Sequence, residues 1–187
     1  MTSAEIRIAG FGGQGVVLAG MVIGNAATLH DNKFVTLTQS FGPEARGTTC
    51  SVQLIVAPEP ILYPYLSKPD LLVVMSQDAN EKYGSDLKPT GLLLYEEDLI
   101  ESARLNHETR AYGIPATRIA EELGRKMVLN MVMVGFVTAI TEVISPEAAR
   151  AAIKSLVPRG TDSLNLSAFE KGFEYGKSLR ARELTAA

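Results

Sequence analysis

Three glycines near the start of the chain have the spacing of a loop that holds a phosphate group. Residues 8–15 read IAGFGGQG, and the glycines at positions 10, 12 and 15 satisfy the pattern G-x-G-x-x-G. Glycine lets the backbone turn tightly and leaves no Cβ in the path of an approaching ligand. A helix that begins after this loop would direct N–H groups to the same place and favour an anion. The candidate site residues of this loop are Gly12, Gly13, Gln14 and Gly15.

A nicotinamide dinucleotide site needs one more residue, which the sequence does not supply. An Asp or Glu about 20 positions further on, at the end of the second strand, normally binds the ribose. The second predicted strand, KFVTLT at 33–38, is followed by Gln39 and Ser40, and Asp31 precedes it. No Gly-Lys-Ser/Thr follows the glycines, so the loop is not a P-loop. An anion or partner site, a divergent NAD(P) site and simple close packing of strand and helix all stay open.

A second polar loop follows the second strand. Residues 38–51 read TQSFGPEARGTTCS, with Pro43 to stiffen the loop and two glycines to bend it. Its arginine could contact a phosphate or a carboxylate through the planar guanidinium, oriented by the nearby glutamate, or the two could form a local ion pair in solvent. Because ligand loops follow the carboxyl ends of strands in such sheets, we expect this loop beside the first one. The candidate site residues here are Ser40, Gly42, Glu44 and Arg46.

Strands and helices alternate along the chain and would position both loops. Apolar, β-branched runs predict strands at 5–9, 33–38, 50–57, 71–75, 91–95 and 109–112. Apolar periodicity and turn signals predict helices at 15–30, 77–83, 115–123, 127–144, 146–156 and 166–179. The order indicates an α/β, Rossmann-like fold, with a largely parallel sheet flanked by helices and a helical C-terminal part. We expect residues 1–187 to form a single domain.

The most apolar segment, residues 127–144, is too short and too interrupted to span a membrane. It predicts a helix buried on most sides, within the fold or against another chain. Asn130 inside it would fix the helix register through a buried hydrogen bond, or make a polar contact across a subunit interface. Tyr63 and Tyr65, in the proline-rich stretch 58–69, are further candidates for a contact surface or for plain core.

Composition excludes several classes of function. The 187 residues carry a net charge of −3 without a basic block, which argues against nucleic acid as the main ligand. A single cysteine, Cys50, cannot form an internal disulfide or an iron–sulfur cluster, and we expect a small buried strand residue there. His30 and His107 lack metal-ligand spacing and are interpreted as ordinary surface or turn residues. The N-terminus has no signal-peptide pattern, and we expect a cytoplasmic protein.

Together the two loops resemble the gamma subunit, or gamma domain, of the 2-oxoacid:ferredoxin oxidoreductases. That family has G-x-G-G-Q-G near the N-terminus and then S-[YF]-G-P-E-x-R-G, matched here by Gly10–Gly15 and Ser40–Gly47. Similarity continues through KPDLLVVMSQ (68–77), GLLLYEEDL (91–99), LNMVMVG (129–135) and AFEKG (168–172). TLTQSFGPEARG and VVMSQ look most similar to the 2-oxoglutarate type, although the pyruvate, 2-oxoisovalerate and indolepyruvate enzymes share the fold.

The resemblance implies a non-catalytic subunit of an enzyme that oxidatively decarboxylates a 2-oxoacid, 2-oxoglutarate to succinyl-CoA in this case. It implies no cofactor bound by this chain alone. Coenzyme A would bind at the level of the complex, with thiamine diphosphate, Mg²⁺ and iron–sulfur clusters in partner subunits. The implied partners are alpha, beta and ferredoxin-like delta subunits, ferredoxin indirectly, and a possible homodimer of the isolated chain. Two alternatives remain: a free-standing NAD(P)-binding oxidoreductase, and a pure scaffold whose loops serve only subunit packing.

Overall fold

A six-stranded sheet forms the centre of the computed structural model, which describes residues 3–40, 48–101 and 110–186. The strands lie in the order β2-β3-β1-β4-β5-β6. All of them run in one direction except β3, which is antiparallel to both of its neighbours. The strands are β1 (Ala4–Phe11), β2 (Phe34–Ser40), β3 (Thr49–Ala57), β4 (Leu71–Val74), β5 (Leu92–Glu96) and β6 (Arg110–Ile114).

The position of β3 corrects one part of the sequence interpretation. The predicted order of strand, glycine loop, helix and strand is that of a dinucleotide-binding unit, in which the two strands are parallel and usually adjacent. The two strands are parallel, as expected, but β3 lies between them and pairs with both. Only residues 41–48 join β2 to β3, and a parallel connection needs a crossover of a dozen residues or more, so an antiparallel hairpin forms instead.

Helices cover the two faces of the sheet unequally. One face packs against most of the helices and shares a large apolar core with them, while among the described residues the other face packs against one short α-helix. That short helix is α2, and its Ala79 and Tyr83 form a small core with the sheet. The helices are α1 (Val16–Asn25), continued by a π-helical turn (Ala26–His30), α2 (Gln77–Tyr83), α3 (Ala116–Glu122), α4 (Leu129–Thr141), α5 (Pro146–Leu156) and α6 (Asp162–Ala186).

Most of the apolar 127–144 segment belongs to the core of this chain, although Met127 at its start is exposed. Every residue of α4 from Leu129 to Ala139 is buried, and its main neighbour is α6. The two helix backbones touch at glycines. A Cβ on Gly172 would lie 1.9 Å from the Val132 carbonyl oxygen, and one on Gly135 would lie 2.0 Å from that of Phe169. Within the described residues, no helix combines the length and the apolar character needed to cross a membrane.

Candidate functional site

The glycine loop and the two ends of the β2–β3 connection lie at the same end of the strands, where β1 and β2 finish and β3 begins. We call this end of the sheet the rim. The backbone N–H of Gly12 donates to the carbonyl oxygen of Thr48 at 3.0 Å. Phe11, the last residue of β1, pairs with Thr49, and Ser40 pairs with Ser51. The residues that flank the second loop thus lie at the same end of the sheet as the glycine loop, while residues 41–47 of the loop itself lie outside the described residues, so its position beside the glycine loop stays a prediction. Of the candidate residues in that loop, Gly42, Glu44 and Arg46 lie outside the described residues.

Gln14 turns inward and closes the glycine loop. Its Oε1 accepts a hydrogen bond from the backbone N–H of Phe11 at 2.7 Å, and its Nε2 donates to the carbonyl oxygen of Met75 at 2.7 Å. The side chain thereby ties the end of β1 to the residue that follows β4. The amide donor and acceptor of this candidate residue are therefore both engaged in holding the loop.

Gly10 makes this inward turn sterically possible. A Cβ at position 10 would lie 2.5 Å from the Oε1 of Gln14 and 3.1 Å from the Cβ of Met75. Real Cβ atoms do not approach other heavy atoms so closely, so a side chain here would push the Gln14 amide out of its place. The first glycine of the motif therefore serves the packing of the loop on the sheet, which was one of the interpretations left open.

Gly15 and Asn130 hold the other end of the loop. Gly15 has a φ of +74°, a left-handed conformation that glycine adopts readily, and it precedes the first residue of α1. Asn130, buried near the start of α4, donates from Nδ2 to the Gly15 carbonyl oxygen at 3.3 Å. A Cβ on Gly15 would lie 2.3 Å from that same Nδ2. The polar residue in the apolar helix thus binds the glycine loop of its own chain.

Gly13 is the part of the loop that faces outward. It is exposed, its φ is +103°, and no heavy atom lies within 4 Å of where its Cβ would be. The helix α1 that follows has no side-chain cap at its N-terminus, so its first N–H groups and its partial positive charge are directed to the rim. The bare backbone and the helix end together offer a surface that can accept an anionic group.

Sequence reasoning missed Glu96, a buried carboxyl group at the end of β5. Its Oε1 accepts from the backbone N–H of Thr117 at 3.1 Å, at the start of α3. Burial raises the pKa of this carboxyl group above its usual range. Glu96 directly follows the predicted strand 91–95, so the sequence prediction did not mark it as buried. The side chain joins β5 to α3.

The remaining titratable candidates agree with the sequence interpretation where the structure describes them. Cys50 lies in β3 and is buried, and burial raises the pKa of its thiol, which disfavours the reactive thiolate. His30 is exposed at the end of the π-helical turn, and His107 lies outside the described residues. Residues 3–40, 48–101 and 110–186 contain no group of three or more side chains suited to hold a metal ion.

A dinucleotide site of the usual kind does not fit this rim. The end of β2 carries Gln39 and Ser40 instead of a ribose-binding carboxylate, and β3 separates it from the glycine loop. Asp31, the acidic residue before β2, lies at the end of the strands opposite to the rim. There it accepts hydrogen bonds from the backbone N–H and the hydroxyl of Ser145 at 2.7 and 2.6 Å. The glycine motif is therefore present without the second half of the nucleotide site.

Comparisons with known proteins agree over nearly the whole chain. A family model described as pyruvate ferredoxin/flavodoxin oxidoreductase matches residues 5–175. The 2-oxoglutarate synthase subunit KorC of Methanocaldococcus jannaschii is 46% identical over 177 residues, which cover 94% of this chain and 95% of that protein. The keto/oxoacid ferredoxin oxidoreductase gamma subunit of Geobacter sulfurreducens has a similar structure, with a TM-score of 0.82 and 36% identity over 94% of this chain and 99% of its own.

A third protein is similar in fold. The 2-oxoglutarate:ferredoxin oxidoreductase of Magnetococcus marinus, solved with 2-oxoglutarate, coenzyme A and succinyl-CoA bound, matches 95% of this chain with a TM-score of 0.87. The identity is 22%, and the match covers 32% of that longer chain. This likeness shows that the fold occurs as one part of a larger polypeptide.

Proposed function

The chain belongs to the pyruvate ferredoxin/flavodoxin oxidoreductase family and is a gamma subunit of a 2-oxoacid:ferredoxin oxidoreductase, and from this we propose that its rim forms the coenzyme A side of an active site completed by other subunits. The proposed reaction converts 2-oxoglutarate and coenzyme A to succinyl-CoA and carbon dioxide, with the electrons passed to ferredoxin. Partner subunits of the alpha, beta and ferredoxin-like delta types would supply the remaining components.

One observation carries this proposal: Gln14 and Asn130 lock the glycine loop in a shape that leaves the bare backbone at Gly13 exposed. No heavy atom lies within 4 Å of where a Cβ of Gly13 would be, so another molecule can approach the backbone at the loop tip closely. Coenzyme A carries phosphate groups, and α1 directs uncapped N–H groups to the same rim. The residues present therefore fit an anionic ligand at this place.

The division of chemistry between subunits follows from the side chains of this chain. Thiamine diphosphate, when bound by partner subunits, supplies the stabilisation of the carbanion formed on decarboxylation. This chain would bind and orient the acyl acceptor, and its rim would exclude water from one side of the site. Gln14 and Asn130 are positioning residues in this scheme, because each acts on the backbone of the loop and not on a substrate.

Glu44 and Arg46 complete the proposal from the second loop. In the sequence they lie between Ser40, the last residue of β2, and Thr49, the first residue of β3, and both of these lie at the rim, which supports a role for the loop there. We expect the Arg46 guanidinium to contact a phosphate of coenzyme A or a partner carboxylate through two parallel hydrogen bonds, with Glu44 orienting it. Ser40 and Gly42 would shape the approach.

Reconstitution with the partner subunits tests this function. We expect no 2-oxoglutarate-dependent reduction of ferredoxin by the chain alone, and full activity of the assembled complex only when the chain is present. Arg46→Lys keeps the charge but loses the planar fork, and we expect it to raise the KM for coenzyme A. Arg159→Lys, at an exposed arginine before α6, is the matched control. An unchanged KM with intact assembly would remove Arg46 from the site.

The same preparation separates the alternatives. Saturable binding of NADH by the isolated chain at micromolar concentration, followed by fluorescence, would support a free-standing NAD(P)-dependent oxidoreductase and contradict the proposal. A complex that assembles with this chain but whose KM for coenzyme A responds to no rim substitution would support the scaffold alternative.

A further inference from the structure

The two outermost strands of the sheet, β2 and β6, differ in how their unpaired backbone groups are protected from pairing with another chain. An edge strand exposes unpaired backbone groups, and natural edges are usually blunted by charges, prolines, bulges or short length. At one edge, β6 has five residues, begins with Arg110, and is tied to α6 by the Tyr112 hydroxyl, which donates to Glu183 at 2.8 Å. At the other edge, β2 has seven residues, no charge, no proline and no bulge in its register with β3. No strand of the described residues pairs with its outer side.

The helix that packs on β2 carries exposed apolar side chains. Gly24 of α1 points at β2, because its Cβ would lie 3.6 Å from Val35 and 3.9 Å from Leu37. The helix and its π-helical turn also contact α4 and α5. Met21 and Leu29 of this segment are nevertheless 38% and 65% exposed. Residues 8–30 contain no Asp, Glu, Lys or Arg, so this surface carries no charge.

A second group of exposed apolar residues lies on the other face of the sheet beside the same strand. The hydroxyl of Thr36, in the middle of β2, donates to the Pro64 carbonyl oxygen at 3.4 Å, which places residues 62–65 next to β2. Leu62, Tyr63 and Tyr65 in this stretch are exposed. Exposed apolar side chains thus flank β2 on both faces, and Phe34 adds another within the strand.

From this arrangement we propose that β2 pairs antiparallel with β2 of a second copy of the chain, so that one sheet continues through a twofold-symmetric dimer. In a twofold antiparallel pair the residue on the axis faces its own equivalent, so a charge on or near the axis would lie close to a like charge. The absence of charge from 34–40 removes that obstacle. A twofold axis normal to the sheet also keeps both α1 helices on one face, where their apolar sides approach each other.

The sequence of β2 suits pairing with itself. With Leu37 on the twofold axis, Thr36 of each copy lies opposite Thr38 of the other, and Leu37 lies opposite its own equivalent. Cross-strand threonine pairs and apolar pairs stabilise antiparallel sheets. The pairing would use all seven residues of β2, and it leaves the rim of each copy free, because the glycine loop follows β1 and not the edge strand.

Cysteine cross-linking of the full chain tests the pairing geometry. Leu37→Cys places two thiols opposite each other on the axis, and we expect a disulfide-linked dimer to form rapidly under mild oxidation. Met127→Cys, at an exposed methionine just before α4, is the control and should cross-link only at the slow rate of random collision. The buried native Cys50 should stay unreacted in both variants. Equal, slow cross-linking of the two variants would overturn the proposal.

The oligomeric mass of the unmodified protein in solution provides an independent test that needs no substitution in β2. We expect a concentration-dependent dimer by light scattering, and Met21→Glu should raise its dissociation constant by about a hundredfold because it buries an unpaired charge. Met127→Glu makes the same change outside the interface and should leave the dimer intact, and thermal unfolding checks that both variants are folded. A chain that is monomeric at all concentrations, or a β2 edge that pairs only with another subunit in the reconstituted complex, would contradict the proposal.

Discussion

The chain uses glycine in two regions for opposite purposes. At the rim, Gly13 keeps a backbone segment bare and open to other molecules, and Gly10 and Gly15 leave room for the side chains that hold it. Between α4 and α6, Gly135 and Gly172 let two backbones touch inside the core. The same residue type therefore marks a binding surface in one place and a close helix contact in the other. The difference lies in what a Cβ would meet.

The largest effect is expected at the helix contact. Gly172→Ala would place a methyl group against the Val132 carbonyl oxygen, and α4 and α6 would have to move apart. We expect the free energy of unfolding to fall by about 2–3 kcal/mol, which lowers Tm by roughly 4–12 °C in a chain of this size. Gly84→Ala is the control, because its φ is −59° and the nearest atom to its Cβ is 3.5 Å away. A Gly172→Ala variant as stable as this control would show that the helices are not in backbone contact.

At the rim, Gly15 and Asn130 should behave as a coupled pair. Gly15→Ala combines a left-handed conformation with a collision against the Asn130 amide, and we expect a loss of about 2 kcal/mol in chemical denaturation. Asn130→Ala leaves the Gly15 carbonyl oxygen without its donor and should cost about 1 kcal/mol. Because the second change removes the collision, the double variant should lose less than the two single losses added together. Additive losses would mean that the two residues do not contact each other.

Gln14 distinguishes loop closure from ligand contact. Gln14→Glu can still accept from the Phe11 N–H but places a carboxylate against the Met75 carbonyl oxygen. We expect a loss of about 1–2 kcal/mol in stability measured on the isolated chain, where no ligand or partner is present. An unchanged stability, together with a weakened complex, would indicate that the Gln14 amide faces outward, as the sequence alone suggested.

The smallest effect on stability is expected at Gly13, where a side chain meets nothing. Gly13→Ala should cost about 1 kcal/mol for its left-handed backbone alone. Gly124→Ala should cost about the same, because Gly124 has a φ of +87° and is equally open. Thermal unfolding of the two variants compares them directly. A much larger loss at Gly13 would show that the loop tip is packed and not free to bind.

Some of this organisation could be predicted from the sequence, and some could not. Most strands and helices were predicted closely because apolar runs and Pro or Ser at helix starts are local signals, as at Ser145 and Pro146 at the start of α5. The last helix was predicted too short, at 166–179, whereas α6 spans Asp162–Ala186. The insertion of β3 between β1 and β2 was missed, although the short connection 41–48 was a sufficient signal. The contact of Asn130 with Gly15 spans 115 residues and depends on how α4 packs beside α1, which no local pattern encodes.

The central proposal is that the backbone at Gly13 faces coenzyme A in the assembled complex. The decisive measurement is the KM for coenzyme A of the reconstituted complex carrying Gly13→Asp, Gly13→Asn or Gly124→Asp. We expect Gly13→Asp to raise this KM by about tenfold or more, because a carboxylate would face the phosphates of the ligand. Gly13→Asn should raise it less, and Gly124→Asp should leave it unchanged. Equal KM values for all three complexes would contradict the account.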